Sequence, residues 1–227
     1  MGSGEVGATW ALIAAAGSGE RLGLDRPKAF AALGGRPLLA ESLDRLDRCA
    51  LVDAIVVAAP PGWEEPSILL AEELATSKVV ACVTGGATRT ESVAAALAEV
   101  ADEALVVVVH DAARPLIDDA LVERLLGPLG EGFDGAVPVL PVADTLKRVR
   151  NGAVEETVAR EGLVTAQTPQ AFLALSLRRA FEGDLAGATD CASLVERAGG
   201  RVAVVDGDRR LLKVTTAADL ALVESWL

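Results

Sequence analysis

The sequence predicts an α/β fold: a mostly parallel sheet with helices on both faces. Three observations carry this. Apolar β-type runs recur along the chain, helical patterns fall between them, and the runs are nearly continuous rather than alternating, as in strands covered on both faces. Of 227 residues, 51% are hydrophobic and only 3% aromatic, so Ala, Val and Leu must supply most of a substantial core.

Residues 9–16 read as the first strand, followed by a helix over 37–49 with proline at an early helical position, where a missing N–H is tolerated. Residues 53–59 (DAIVVAA) form the second strand, stopped by Pro60-Pro61. A helix over 65–75 leads to a short strand at 78–83. Then come a helix over 89–100, a fully apolar strand at 104–109 (ALVVVV) and a helix over 118–129. After Gly135 the pattern changes. Residues 144–160 (DTLKRVRNGAVEETVAR) are two polar, β-prone arms around Asn151-Gly152, the strongest short hairpin signal. Such a hairpin is marginal alone, so it must lie on its own domain or on a second copy of the chain. Helices over 169–181 and 189–198, strands at 201–205 and 211–214, and a final helix from Thr216 complete the reading. With no internal repeat or linker, one domain over 1–227 with a projecting arm at 138–161 is the simplest organisation.

Composition excludes several functions. The formal charge of −12 argues against broad nucleic-acid binding, which needs a basic face. No apolar run approaches the roughly 20 residues of a membrane span. The N-terminal MGSGEVGATW has no Lys or Arg before Arg21 and does not resemble a signal peptide. Cys49, Cys82 and Cys191 are odd in number and form no CxxC pair, which suits reduced thiols in the cytoplasm.

Residues 14–30 (AAAGSGERLGLDRPKAF) place three glycines, two arginines and a lysine after the first strand. Such a loop presents backbone N–H groups to an anion, most often phosphate. The dinucleotide fingerprint fails because its third glycine position holds Leu22, and Walker A fails because no glycine is followed by Lys and Ser or Thr. What remains is GxGxRLxxxxPK. Arg21 supplies a forked donor and Lys28 a mobile point charge, unless both are simply solvated cations of a tight turn.

The loop resembles the signature of nucleotidyltransferases that join a sugar or polyol phosphate to a nucleoside. Later segments narrow it: GGATRTESV at 85–93, VHDAARP at 109–115, ADTLK at 143–147, TPQ at 168–170, Thr189-Asp190 and KVT at 213–215. In this order they look like the 2-C-methyl-D-erythritol 4-phosphate cytidylyltransferases of the non-mevalonate isoprenoid pathway. The resemblance runs from about Thr9 to the C-terminus and implies a Rossmann-like nucleotidyltransferase fold. It also implies CMP transfer from CTP to methylerythritol phosphate with release of pyrophosphate.

By that resemblance, Ala15, Ala16, Gly17 and Gly19 cradle the CTP phosphates, and Arg21, Lys28 and Lys213 are the catalytic cations. Gly86, Ala87 and Ser92 receive the cytosine. Asp111 and Arg114 follow the apolar strand, at the carboxyl edge where open α/β sheets bind ligands. Asp111 contacts hydroxyls of either substrate and the water shell of a Mg²⁺ carried by CTP. Arg114, Thr145, Arg160, Thr168 and Thr189 bind the polyol phosphate, with arm residues reaching the site of a partner in a homodimer. On the residues alone, plainer readings stay open. Ser92 can be a helix-face hydroxyl, Arg89 an exposed charge and Lys213 a solvated lysine. Arg160 can be an ion-pair partner of Glu155 or Glu156. His110, the one histidine, reads as structural. Ala29 and Cys191 depart from the glutamine and the acid common in the family. A ribitol 5-phosphate cytidylyltransferase and a catalytically silent CTP-binding regulator are the competing readings. The pattern's end near Leu227 leaves no room for a fused cyclising enzyme.

Overall fold

The computed structural model describes residues 8–23 and 25–227. Residues 1–7, most of the segment that does not resemble a signal peptide, and Leu24 lie outside the described residues. The first half follows the expected alternation: β1 (Thr9–Ala14), a small hairpin of β2 (Ala32–Leu33) and β3 (Arg36–Pro37), α1 (Leu38–Arg48), β4 (Ala54–Ala59), α2 (Glu64–Glu73), β5 (Val79–Thr84), α3 (Arg89–Leu97), β6 (Val106–Asp111) and α4 (Asp119–Leu126). The second half contains β7 (Gly135–Pro141), β8 (Leu146–Arg150), β9 (Ala153–Val158), β10 (Val164–Ala166), β11 (Gln170–Leu173), α5 (Ala174–Phe181), α6 (Cys191–Arg197), β12 (Val202–Asp206) and α7 (Ala217–Glu224).

The sheet runs β10-β7-β11-β6-β1-β4-β5, with β12 also paired to β7. β5, β4, β1 and β6 are mutually parallel, and β12 is parallel to β7. β11 is antiparallel to both β6 and β7. The near-continuous apolar strands are explained by two cores, one on each face. Ala11, Ile13, Ile55 and Val57 pack with Leu39, Leu43 and Leu46 of α1. Leu12, Val56, Val107 and Val109 pack instead with Val93 and Leu97 of α3 and Leu177 of α5. A third cluster joins Leu33, Leu38, Val214 and Val223, seating α7 beside the β2–β3 hairpin.

Several expectations are corrected. The helix expected over 169–181 begins as β11 and turns helical only at Ala174. Backbone pairing with β6 and β7 wins there, and Phe172 is fully buried over Gly135, where a Cβ would collide with its ring. The strand expected at 211–214 is irregular. Leu211 and Val214 are buried, but the N–H of Val214 donates to the Ala113 carbonyl rather than to a strand ladder. β7 and β10 have no counterpart among the expected strands. β7 occupies 135–141, so the expected arm start at 138 falls inside the main sheet.

The hairpin itself forms where expected, as a separate two-stranded sheet of β8 and β9. Asn151 (φ 52°) and Gly152 (φ 78°) both take the left-handed conformation that a tight two-residue turn requires. Arg148 pairs with Glu156 at 2.6 Å and Arg150 with Glu155 at 3.1 Å. The cross-strand pair Val149 and Val154 is about 60% exposed on both strands, so the arm leaves apolar surface uncovered.

Candidate active site

A cleft of about 530 Å³ opens at the carboxyl ends of β1 and β6, the edge where parallel sheets collect ligands. One wall is the loop after β1. Gly19 (φ 77°) and Gly23 (φ 64°) flank a single 3₁₀ turn carrying Arg21. The loop closes on itself, with the N–H of Lys28 donating to the Gly17 carbonyl at 3.2 Å. A Cβ at Gly19 would sit 3.0 Å from the Lys28 backbone, so glycine permits this approach. Phe30 packs on Trp63 with ring centroids 4.6 Å apart, pinning the turn from behind.

The opposite wall is the start of α3. Thr88 caps the helix: its hydroxyl accepts from the Glu91 N–H while the Glu91 carboxylate accepts from the Thr88 N–H. The same carboxylate accepts from the Ala87 N–H at 2.7 Å, and the Gly86 N–H donates to Ser92 Oγ at 3.1 Å. Ser92 Oγ in turn donates to the Thr88 carbonyl at 2.9 Å. Gly85 has no room for a side chain, since a Cβ would strike Ala16.

The floor is Asp111, the last residue of β6 and buried. Arg89 Nε donates to its Oδ1 and Lys213 Nζ to its Oδ2, both at 2.7 Å. Burial alone would raise the Asp111 pKa, but these two cations outweigh it and hold the carboxyl well below the usual carboxylate range. Burial works against the Arg89 cation too, and Asp111 more than restores it, so Arg89 stays charged. Its Nη1 reaches Cys191 Sγ at 3.5 Å, and its Nη2 is buried without a partner. Lys28 is pulled down to about 8, first by burial and then by the nearby Lys213, against the opposing pull of Asp111. Lys28, Arg89 and Lys213 thus meet around Asp111 in a cleft of an acidic chain, with Glu20 also on its wall.

The family model described as IspD, 2-C-methyl-D-erythritol 4-phosphate cytidylyltransferase, matches residues 9–227. The chain belongs to that family. A 2-C-methyl-D-erythritol 4-phosphate cytidylyltransferase of Nocardia farcinica is 46% identical over 222 residues, covering 97% of this chain and 94% of that protein. The crystal structure of the cytidylyltransferase of the same name from Thermus thermophilus superposes with a TM-score of 0.77 at 36% identity, covering 95% of this chain and 96% of that one. The Francisella tularensis structure gives 0.83 at 29% identity, covering 97% and 100%.

The residues expected from the family's motifs separate into three groups. Ala15, Ala16, Gly17, Lys28, Gly86, Ala87, Ser92, Asp111 and Lys213 line the cleft together. Within it, the Ala15 N–H is spent on the Ala58 carbonyl. Gly19 and Arg21 belong to the same loop, and Arg21 is exposed beside the cleft. Arg114, Thr145, Arg160, Thr168 and Thr189 are not on its wall. Arg114 Nη1 donates to the Leu211 carbonyl at 2.6 Å, and Thr168 Oγ1 accepts from the Asp111 N–H at 3.1 Å. Thr145, Arg160 and Thr189 are exposed, and Arg160 donates to the Ala143 carbonyl rather than to Glu155 or Glu156. His110 is fully buried, near Ser42 Oγ, and burial lowers its pKa to about 4. Arg89, open between site and surface on the residues alone, belongs to the site. The signal for it, an arginine at the start of a capped helix, does not reveal a carboxylate 22 residues away.

Proposed function

We propose that this cleft, within one catalytic domain, transfers the cytidylyl group of CTP to the phosphate of 2-C-methyl-D-erythritol 4-phosphate. A phosphate oxygen of the polyol forms a bond to the α-phosphorus as the bond to the bridging oxygen of pyrophosphate breaks. Positioning and cationic stabilisation carry such a reaction, with no protein nucleophile. The observation that supports this best is the convergence of Lys213 and Lys28 around Asp111, although Lys213 and Asp111 are 102 positions apart.

In this reading the turn at Gly17–Gly19 and Arg21 hold the β- and γ-phosphates, while Lys28 and Lys213 meet the α-phosphate as charge moves onto the leaving oxygens. The N–H groups of Gly86 and Ala87 are engaged inside their own loop. In this reading their carbonyls, of which that of Gly86 also accepts a long bond from Ser92 Oγ at 3.4 Å, are the acceptors offered to the exocyclic amine of cytosine, a pairing that uracil cannot make. Arg160 and Thr145 of a partner's arm, with Thr189, complete the polyol phosphate site, so the working form is a homodimer in the cytoplasm. Among the described residues no helix is long and apolar enough to cross a membrane.

Among the described residues no cluster of three His, Cys, Asp or Glu could hold a metal, and both Asp111 oxygens are committed to cations. Mg²⁺ would be carried by CTP, where it neutralises phosphate oxygens.

Two measurements test this reading. Pyrophosphate release is expected with CTP and methylerythritol phosphate and not with UTP; faster release with ribitol 5-phosphate, or CTP binding without release, overturns it. Because Lys28 sits near pKa 8, facing Lys213, Arg21, Asp111 and Asp219, kcat/KM for CTP is expected to fall as pH rises through about 8, where the cation is lost. In Lys28→Arg the fall should move beyond about pH 10, since arginine keeps its charge. A wild-type profile flat to that pH would remove Lys28 from the nucleotide site.

A further inference from the structure

We propose that Gln167 is a positioning residue, clasping the loop that carries Lys213 to the root of the arm. The inference rests on Lys213 acting at the transferring phosphate. Between the end of β12 at Asp206 and Lys213 the backbone has no regular structure, so local tethers must aim the lysine.

The Gln167 side chain supplies the first of these. It is 5% exposed. Its Nε2 donates to the Asp208 carbonyl at 2.8 Å and its Oε1 accepts from the Asp208 N–H at 3.1 Å. The amide thus imitates one rung of a strand pair, made by a side chain to a single backbone residue. The backbone on either side is tied to β7. The Gln167 N–H donates to the Pro138 carbonyl at 2.8 Å, and the Gly207 N–H to the Val139 carbonyl at 2.9 Å. A Cβ at Gly207 would meet the Val139 carbonyl at 2.9 Å and collide with Gln167 Oε1, so the clasp closes only over glycine. Further along, Arg114 Nη1 on the Leu211 carbonyl and the Val214 N–H on the Ala113 carbonyl hold the far side.

The residues that hold the clasp are those from which the arm departs. β7 ends at Pro141, and β10 returns at Val164, pairing with Pro141. Movement at the arm's root therefore reaches Asp208 through the Gln167 amide. An apolar side chain of the same volume would fill the space without fixing the loop's register. A buried amide with both ends paired is costly to place and is informative for that reason.

Gln167→Met keeps the volume and removes both bonds. We expect kcat to fall about 10- to 100-fold, the order that a misplacement near 1 Å can cause, with the KM for CTP nearly unchanged because the glycine loop and α3 wall are untouched. In a Lys213→Ala background the same substitution should cost nothing further, since its effect passes through the missing lysine. Gly207→Ala, which opens the clasp from the other side, should reproduce the kcat loss if Gln167→Met does not fold. Unchanged kcat in a folded Gln167→Met protein, or a full additional loss on top of Lys213→Ala, overturns the proposal. The underlying functional reading fails separately, by absence of turnover in the wild type or by full activity in Lys213→Ala.

Discussion

Asp111→Asn is expected to remove most turnover and to cost about 3–5 kcal/mol of stability, the range for breaking a buried ion pair by deleting one partner. The size follows from what Asp111 opposes. Arg89 is half-buried, its buried Nη2 already lacks a partner, and Asp111 is its carboxylate. Asparagine keeps the shape but leaves that guanidinium charged and uncompensated. Lys213 loses the same anchor, so kcat should fall by at least the roughly 10²–10³ that removal of one well-placed stabilising group costs. The pH dependence has a definite sign. Asp111 has its pKa depressed in the folded chain, so its contribution is present above the unfolded value of about 3.9 and is lost as pH falls through the folded value. The gap between wild-type and variant melting temperatures should be constant near neutrality and shrink only in strong acid. A variant as stable as wild type at pH 7 would mean Arg89 finds another partner.

Arg160→Ala and Lys213→Ala proteins, each reduced to a small residual activity alone, are expected to regain activity on mixing. If the arm serves the neighbouring cleft, a mixed dimer has one intact site, built from the Lys213 of one chain and the Arg160 of the other. Random exchange then restores about a quarter of wild-type activity per subunit, because half the dimers are mixed and each has one working site. Activity that stays at background after exchange, with dimers verified by light scattering, would assign Arg160 to its own chain's cleft. The complementary deletion of residues 151–160 should leave monomers without turnover. The arm's exposed Val149–Val154 pair and its lack of sheet partners beyond itself motivate both experiments.

The sequence revealed the parts governed by local rules. Continuous apolar runs marked β1, β4 and β6 because each buries both faces, and Asn151-Gly152 marked the hairpin because few residues accept two left-handed angles in succession. It misled where long-range pairing overrides local pattern. Gln170–Leu173 looked like the start of a helix, and only the slot between β6 and β7 makes it a strand. The short apolar run from Leu211 to Val214 reads as a strand, yet Leu211 and Val214 are buried without a ladder to receive them. The same division holds in the cleft. Motifs picked out Lys28, Asp111 and Lys213, which the fold brings to one cleft, but the contacts of Arg89, Arg114 and Gln167 are made to partners 22, 97 and 41 positions away, beyond any spacing rule.

The capped start of α3 has a consequence for how a nucleotide can lie. A free helix N-terminus attracts phosphate; here the Glu91 carboxylate accepts from the N–H groups of Ala87 and Thr88, ahead of the helix, and of the first three helical amides only that of Glu91 receives a side-chain cap. The charge on that wall, Arg89, is committed to Asp111, whereas Arg21 and Lys28 stand on the opposite wall. In the proposed reading this asymmetry seats the triphosphate against the loop after β1 and the nucleobase against the start of α3.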